Sequence, residues 1–201
     1  MEASGFRQAL VDHLRLHARP PEKYSHQPRL YRLTGRVGEG MIYDDDVVFA
    51  AAWLHDLGVF VGHRPEDPVA LAGWDHLAYA LRETPAVLAG IGFPPAKVPA
   101  VLEAIRTHLP AGDPTTLEGL ILRDADLLEQ LGAVGVLRTV CKVGRDTRFT
   151  VLADAVRSLR RAADDLPGRL RLESARRLAI PRVAVLRAFL AAAEEEGGGD
   201  L

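Results

Sequence analysis

The chain has 201 residues, 48% of them hydrophobic and 26% charged, with a formal net charge of -2; this is the balance of one ordinary globular domain able to bury its own core. No global electropositive field draws such a chain to nucleic acid or to anionic lipid, and no nucleic acid is expected as a partner. A single cysteine, Cys141, excludes a disulfide framework and any thiolate zinc cluster and fits a reducing compartment, so a metal would have to be held by imidazole and carboxylate.

Taken in order, the segments read as helices almost throughout. Phe6, Leu10 and Leu14 repeat at four residues, and Pro20-Pro21 ends that first stretch. A second stretch carries Ser25-His26-Gln27-Pro28-Arg29-Leu30 and is interrupted by Gly35 to Gly40. Then comes the longest apolar run, Val47 to Leu54, far short of the roughly 20 residues a membrane span needs. It leads directly into His55-Asp56, and Gly58 to Pro68 breaks the chain after it. Further stops fall at Pro94-Pro95, Pro110 to Pro114 and Pro167-Gly168. Thr115, three residues before Glu118, has the spacing of a capping box, and Leu117, Leu120, Ile121, Leu127, Leu128 and Leu131 continue the helical period from there. Nowhere is a two-residue alternation sustained. The expectation is an all-α, single-domain bundle of about seven or eight helices over residues 1–193, with a disordered acidic and glycine-rich tail at 194–201. The N-terminus has an acidic residue early and no apolar core segment, so a cytoplasmic, membrane-free protein is expected.

The chemistry gathers in the first half. All seven histidines, His13, His17, His26, His55, His63, His76 and His108, lie within the first 108 residues. An apolar helix that ends in an imidazole and a carboxylate must satisfy both, because an unpaired buried charge costs several kcal/mol. A hydrogen-bonded His55–Asp56 pair would do so, and so would a bound cation. Adjacent helical residues point about 100° apart, so both can reach one ion only at the edge between them, with further ligands from elsewhere. His26, His108, Asp124 and Asp126 are available, a donor set suited to Mn, Fe, Co, Ni or Zn. His13 and His17 have an i, i+4 chelating spacing but no third ligand near in sequence, and read as a solvated face. His63 reads as a surface loop residue, and Cys141, between Val140 and Lys142, as a core residue.

Ser25-His26-Gln27-Pro28-Arg29-Leu30, Leu54-His55-Asp56-Leu57-Gly58 and Asp124-Ala125-Asp126-Leu127-Leu128 together resemble the H…HD…D signature of the HD superfamily of metal-dependent phosphohydrolases. The segments around His108, from Thr116 to Gly135 and from Thr147 to Glu194 are similar to a small bacterial single-domain subgroup of that superfamily. The resemblance implies one divalent ion (Mn, Fe, Co, Ni, Mg or Zn) on His26, His55, Asp56 and Asp126, with Asp124 supporting or capping. It implies hydrolysis of a phosphoester or phosphoanhydride by a metal-bound water. The substrate class expected is a small phosphate compound, foremost a nucleotide, and pyrophosphate release from a nucleoside triphosphate is the leading outcome. Many members have a lysine shortly after the doublet where this chain has Val59; Arg29 is the expected replacement for holding phosphate, ahead of Arg64, Arg123 and Lys97. Asp56 is expected as proton acceptor, and His76 and His108 as proton donors, phosphate contacts or ligands of a second ion, with Asp75 beside His76 to orient it. Tyr24, Tyr31, Trp53, Trp74 and Phe60 are the aromatic side chains on offer to a base. Two other outcomes stay open, a di-iron oxygenase and a non-catalytic ligand-binding protein, and a homodimer is left open as well.

Overall fold

A computed structural model describes residues 5–17, 19, 25–146 and 148–198. Pro20-Pro21, Tyr24 and the last three residues lie outside the described residues. The described chain forms ten α-helices joined by turns and short 3₁₀ segments, with no β-strand longer than an isolated bridge. The all-α expectation holds, with more helices than the seven or eight anticipated. The excess has two sources. Pro68–Ala72 closes a single short turn of helix (α4) at the end of the break read from Gly58 to Pro68, capped by the Asp67 carboxylate on the Ala70 N–H. The apolar period around residue 131 conceals a break, because Gly132 takes a φ of +71, a conformation only glycine adopts cheaply. Among the described residues no helix is long and apolar enough to cross a membrane.

The chain divides into two compact units, Met1–Arg123 and Asp124–Leu201. The first is organised around α3 (Asp45–Leu54). Asp44 caps it by accepting the N–H groups of Asp46 and Val47, and Asp45 and Asp46 place negative charge at its positive end. All eight residues from Val47 to Leu54 are buried, so this helix has no solvated face. Helices α1 (Gly5–His17), α2 (His26–Val37) and α6 (Val98–Thr107) pack against it, and α5 (His76–Gly90) packs on α6. At the N-terminal end of α3 the Arg7 guanidinium donates to Asp45 at 2.8 Å, to Asp46 at 2.6 Å and to the Tyr31 hydroxyl at 2.9 Å. Lys97 adds bonds of 2.9 Å to Asp44 and Asp46. Burial alone would raise the Asp46 carboxyl, but Arg7 and Lys97 hold it below its ordinary value.

Helix α7 (Leu117–Glu129) starts one residue later than the expected box: Thr116, not Thr115, accepts the Gly119 N–H at 3.1 Å. Glu118 does not turn back to the cap; it accepts the Asp44 N–H at 2.9 Å instead. In the second unit α8 (Gly132–Val140) and α9 (Leu152–Asp165) pack with α10 (Glu173–Gly197). Ala155, Leu159 and Ala163 form the buried stripe of α9 at every fourth residue. The acidic run expected to be disordered is helical as far as Gly197: glutamates are good helix formers, and Arg160 pairs with Glu194 at 2.9 Å. Cys141 lies on the surface, not in the core, with its thiol against the Arg138 carbonyl.

Candidate metal centre

Three local structures bring the site together within the first unit. His26 is the first residue of α2 and is buried on its inner side. His55 follows the last turn of α3 as its C-cap and is only 1% exposed. Asp56 then leaves the helix and opens the 3₁₀ turn Leu57–Val59, so the doublet straddles a helix end and its two side chains reach one place. His26 Nε2 and His55 Nε2 are 3.2 Å apart, and one Asp56 carboxylate oxygen lies 3.5 Å from His55 Nε2 and 3.8 Å from His26 Nε2.

The hydrogen bonds of the far ring nitrogens decide what these atoms can do. His55 Nδ1 lies 3.1 Å from the Ala52 carbonyl and His108 Nδ1 2.6 Å from the Ile105 carbonyl. A carbonyl oxygen only accepts, so each Nδ1 carries the proton, and a neutral ring then presents the Nε2 lone pair to the site. This is the backbone support that ligating histidines ordinarily have. Two nitrogen ligands about 2.0–2.1 Å from one ion lie roughly 3.0–3.4 Å apart, and the observed 3.2 Å falls in that range. Burial by itself would raise the Asp56 carboxyl, yet positive charge on His55, His26 and His108 holds it well below the usual carboxylate range; with the rings neutral, a bound cation would supply that charge in their place. Two imidazoles and an ionised carboxylate, 22% exposed, fit a divalent ion of the borderline class.

A second group shares the same carboxylate. Asp56, His76 and His108 present ligand atoms within 4.8 Å of one another, as His26, His55 and Asp56 do. His108 caps the end of α6, and its ring sits 5.0 Å from that of His55. His76 opens α5 and is carried in by Gly58: a Cβ on Gly58 would stand 2.5 Å from the His76 carbonyl oxygen, so only a residue without a side chain lets this backbone approach the turn after Asp56. Asp75 does not orient His76; its carboxylate caps α5 on the Ala78 N–H at 2.9 Å.

The remaining expected residues sort as follows. Asp124 is fully buried and one of its oxygens accepts the Arg171 and Leu172 N–H groups at 2.9 and 2.7 Å, so it fixes the start of α10. Asp126 lies two residues on in α7, half-buried, in the second unit. Arg29 is on α2, one turn from His26, and its guanidinium donates to Ser25 Oγ at 2.9 Å. Lys97 is bound to Asp44 and Asp46, and Arg123 is buried with a bond to the Pro110 carbonyl. Of the aromatic side chains, Tyr31 belongs to the Arg7 cluster and Trp53 and Phe60 to the core. Trp74 is half-buried, packs on Tyr79 and donates to the Gly58 carbonyl at 2.8 Å. Sequence reasoning missed that last contact and the role of Gly58, although Gly58 stands two residues after the doublet.

The HD domain family model matches residues 24–131, a span holding both triads and Asp126. The chain belongs to the HD domain family. Among curated proteins none matches it. Solved structures similar in fold include a Lactobacillus plantarum protein, 20% identical over 98% of both chains with a TM-score of 0.70. Another is a predicted HD superfamily hydrolase from an uncultured Thermotogales bacterium, 23% identical over 94% of this chain and 91% of that one, TM-score 0.63. A third is Bacillus subtilis YpgQ in complex with ADP, 21% identical over 95% of this chain and 92% of the other, TM-score 0.69.

Proposed function

We propose that the protein is a metal-dependent phosphohydrolase acting on a nucleotide, with cleavage of a nucleoside triphosphate to monophosphate and pyrophosphate as the leading reaction. One observation carries this reading: two Nε2 atoms 3.2 Å apart beside an ionised Asp56, a cluster that gains most from a shared cation. His26, His55 and Asp56 would hold the ion, and Asp126 is assigned as the fourth ligand from its place in the motif. The ion would supply a water of lowered pKa and neutralise charge on the phosphate oxygens. Asp56 accepts a hydrogen bond, and in the reaction a proton, from the attacking water. His76 is assigned to protonate the leaving oxygen. His108 has Nδ1 committed to a backbone carbonyl and faces the phosphate with Nε2. Arg29 takes the phosphate charge in place of the lysine absent at Val59. The ADP bound to a protein of the same fold supports a nucleotide as ligand, and the domain is assigned residues 1–193, both compact units included.

The test is a screen of nucleoside mono-, di- and triphosphates and generic phosphoesters with Mn, Co, Ni, Mg and Zn, following phosphate and pyrophosphate separately, with Asp126→Ala as blank. Metal-dependent release from a nucleotide, absent in the blank, is expected; equal release by the blank refutes the assigned site. A second reading, in which His76 and His108 with Asp56 would hold a second ion, is favoured by the second triad that shares this carboxylate. Two irons per chain together with oxygen uptake would move the assignment to an HD-type oxygenase. Bound metal with no turnover of any substrate would make it a ligand-binding protein.

A further inference from the structure

Away from Asp56, the fold assembles a third set of imidazoles that sequence spacing could not join. His13 and His17 occupy successive turns of α1, with ring centroids 4.4 Å apart. The third ligand missing near them in sequence arrives from the loop after the doublet: the His63 ring lies 5.9 Å from that of His17. The loop is held there by Phe60, which is fully buried, and by the Val61 N–H, which donates to the Arg19 carbonyl at 3.0 Å. We propose that His13, His17 and His63 form a separate binding site for a zinc-class ion (Zn, Ni, Co or Cu), which clips the end of α1 to the loop that follows His55–Asp56.

Spacing supports it. An ion about 2.0–2.1 Å from each imidazole nitrogen at tetrahedral angles sets ring centroids roughly 5 Å apart. The two measured values bracket that figure, and the rings of the Asp56 cluster are 5.2 and 5.0 Å apart. Ring orientation supports it too. His63 Nδ1 lies 2.9 Å from the Leu57 carbonyl, so Nδ1 carries the proton and Nε2 the lone pair, the arrangement that prepares a histidine for a metal. In the present rotamers the three nitrogens do not all converge within 4.8 Å. His17 is exposed, and surface rotamers interchange in picoseconds to nanoseconds, so closure requires side-chain rotation, that of His17 foremost. A site of nitrogen donors alone selects borderline transition ions over Mg or Ca. Because Leu57 directly follows Asp56, a filled site would also stiffen the turn that carries the candidate centre.

The test uses the full chain and Zn²⁺ alone, counting equivalents retained after gel filtration and fitting affinities by calorimetry, in wild type, His17→Ala, His63→Gln and the double variant His26→Ala/Asp56→Asn. The expected result is one equivalent fewer in His17→Ala and in His63→Gln than in wild type. That same equivalent should persist in His26→Ala/Asp56→Asn and weaken at least about 100-fold there when His17→Ala is added, since removing even an outer partner of a ligand costs 10–100-fold. His17 is a surface residue, so its variant folds and decides the matter should His63→Gln not. Equal stoichiometry and affinity in wild type and His17→Ala overturn the proposal. Zinc lost from His26→Ala/Asp56→Asn but kept in His17→Ala overturns this site and leaves the Asp56 centre standing; the reverse pattern overturns that centre and leaves this site.

Discussion

Gly58→Ala tests whether the turn after the doublet is built around a close backbone approach. The new methyl would stand 2.5, 2.8 and 3.0 Å from the carbonyl oxygen, Cα and carbonyl carbon of His76. These are backbone atoms of the first residue of α5 and cannot swing aside as a side chain can. Relieving the clash means moving the turn from α5, an overpacking cost of about 1–3 kcal/mol. The same movement strains the bond from Trp74 Nε1 to the Gly58 carbonyl, now 2.8 Å, which contributes about 1 kcal/mol. Together these give about 2–4 kcal/mol, and a chain of this length shifts by about 2–4 °C for each kcal/mol, so Tm should fall by roughly 5–15 °C. Calorimetric unfolding gives the stability, and Mn²⁺ titration gives the state of the site. Because His76 is the group displaced, turnover should fall further than stability does, while metal affinity at His26 and His55 changes little. A Tm within about 1 °C of wild type, with unchanged turnover, would refute the steric role of Gly58.

Asp56→Asn should weaken Mn²⁺ binding at least about 100-fold by calorimetry, with the metal-free fold retained by circular dichroism. Asp124→Ala and Asp126→Ala should part company: the first frees two part-buried N–H groups just before α10 and should cost about 1–3 kcal/mol in urea unfolding, whereas the second should abolish metal-dependent turnover. Arg7→Ala should cost about 2 kcal/mol, since it removes charge-assisted bonds to Asp45 and Asp46 at the head of α3. Asp146 is held at about 2 by its hydrogen bonds to Arg148, against burial. Its folded pKa lies below its unfolded one, so the stability it adds is complete above the ordinary carboxylate value and is lost as pH falls from about 4 to about 2. Arg148 is exposed, which limits the effect to less than about 1 kcal/mol, and Asp146→Asn should flatten the drop in Tm across that window and nowhere else.

Helix content was legible because one pattern dominates: apolar residues at three and four spacing, divided by proline and glycine. The stops at 94–95, 110–114 and 167–168 fall between α-helices, while Pro68, at the end of the 58–68 break, opens α4, and Gly35, read as the start of an interruption, lies inside α2. The break between α7 and α8 was not legible, since Leu131 continues the apolar period and only the positive φ of Gly132 ends it. Nor was the helical tail: composition marks Glu194-Glu195-Glu196 as solvated, and a solvated run at the end of a long helix is still helix when the turns before it are packed. Cys141 was misplaced for a related reason. Its neighbours Val140 and Leu137 are apolar but exposed, and apolar character alone does not say which side of a helix meets a core.

For the site, sequence order named the residues but could not say which of them are held ready. His55 and His108 lie 53 positions apart, in segments with no motif in common, yet each sits at the end of a helix with Nδ1 against the carbonyl three residues before it. A helix end supplies this for nothing more than position, because its last carbonyls have no partner within the helix. A histidine placed there is turned by the backbone, and its Nε2 is left to face whatever the next segment brings. In both cases the carboxylate at hand is that of Asp56, the next residue for His55 and one far earlier in the chain for His108, and it belongs to both triads. His76 reaches the same carboxylate from a helix start, where the orienting carbonyls are absent, and it depends on Gly58 for its approach instead. The two kinds of support predict different sensitivities: His55 and His108 are fixed by their own helices, and His76 by a single residue that has no side chain.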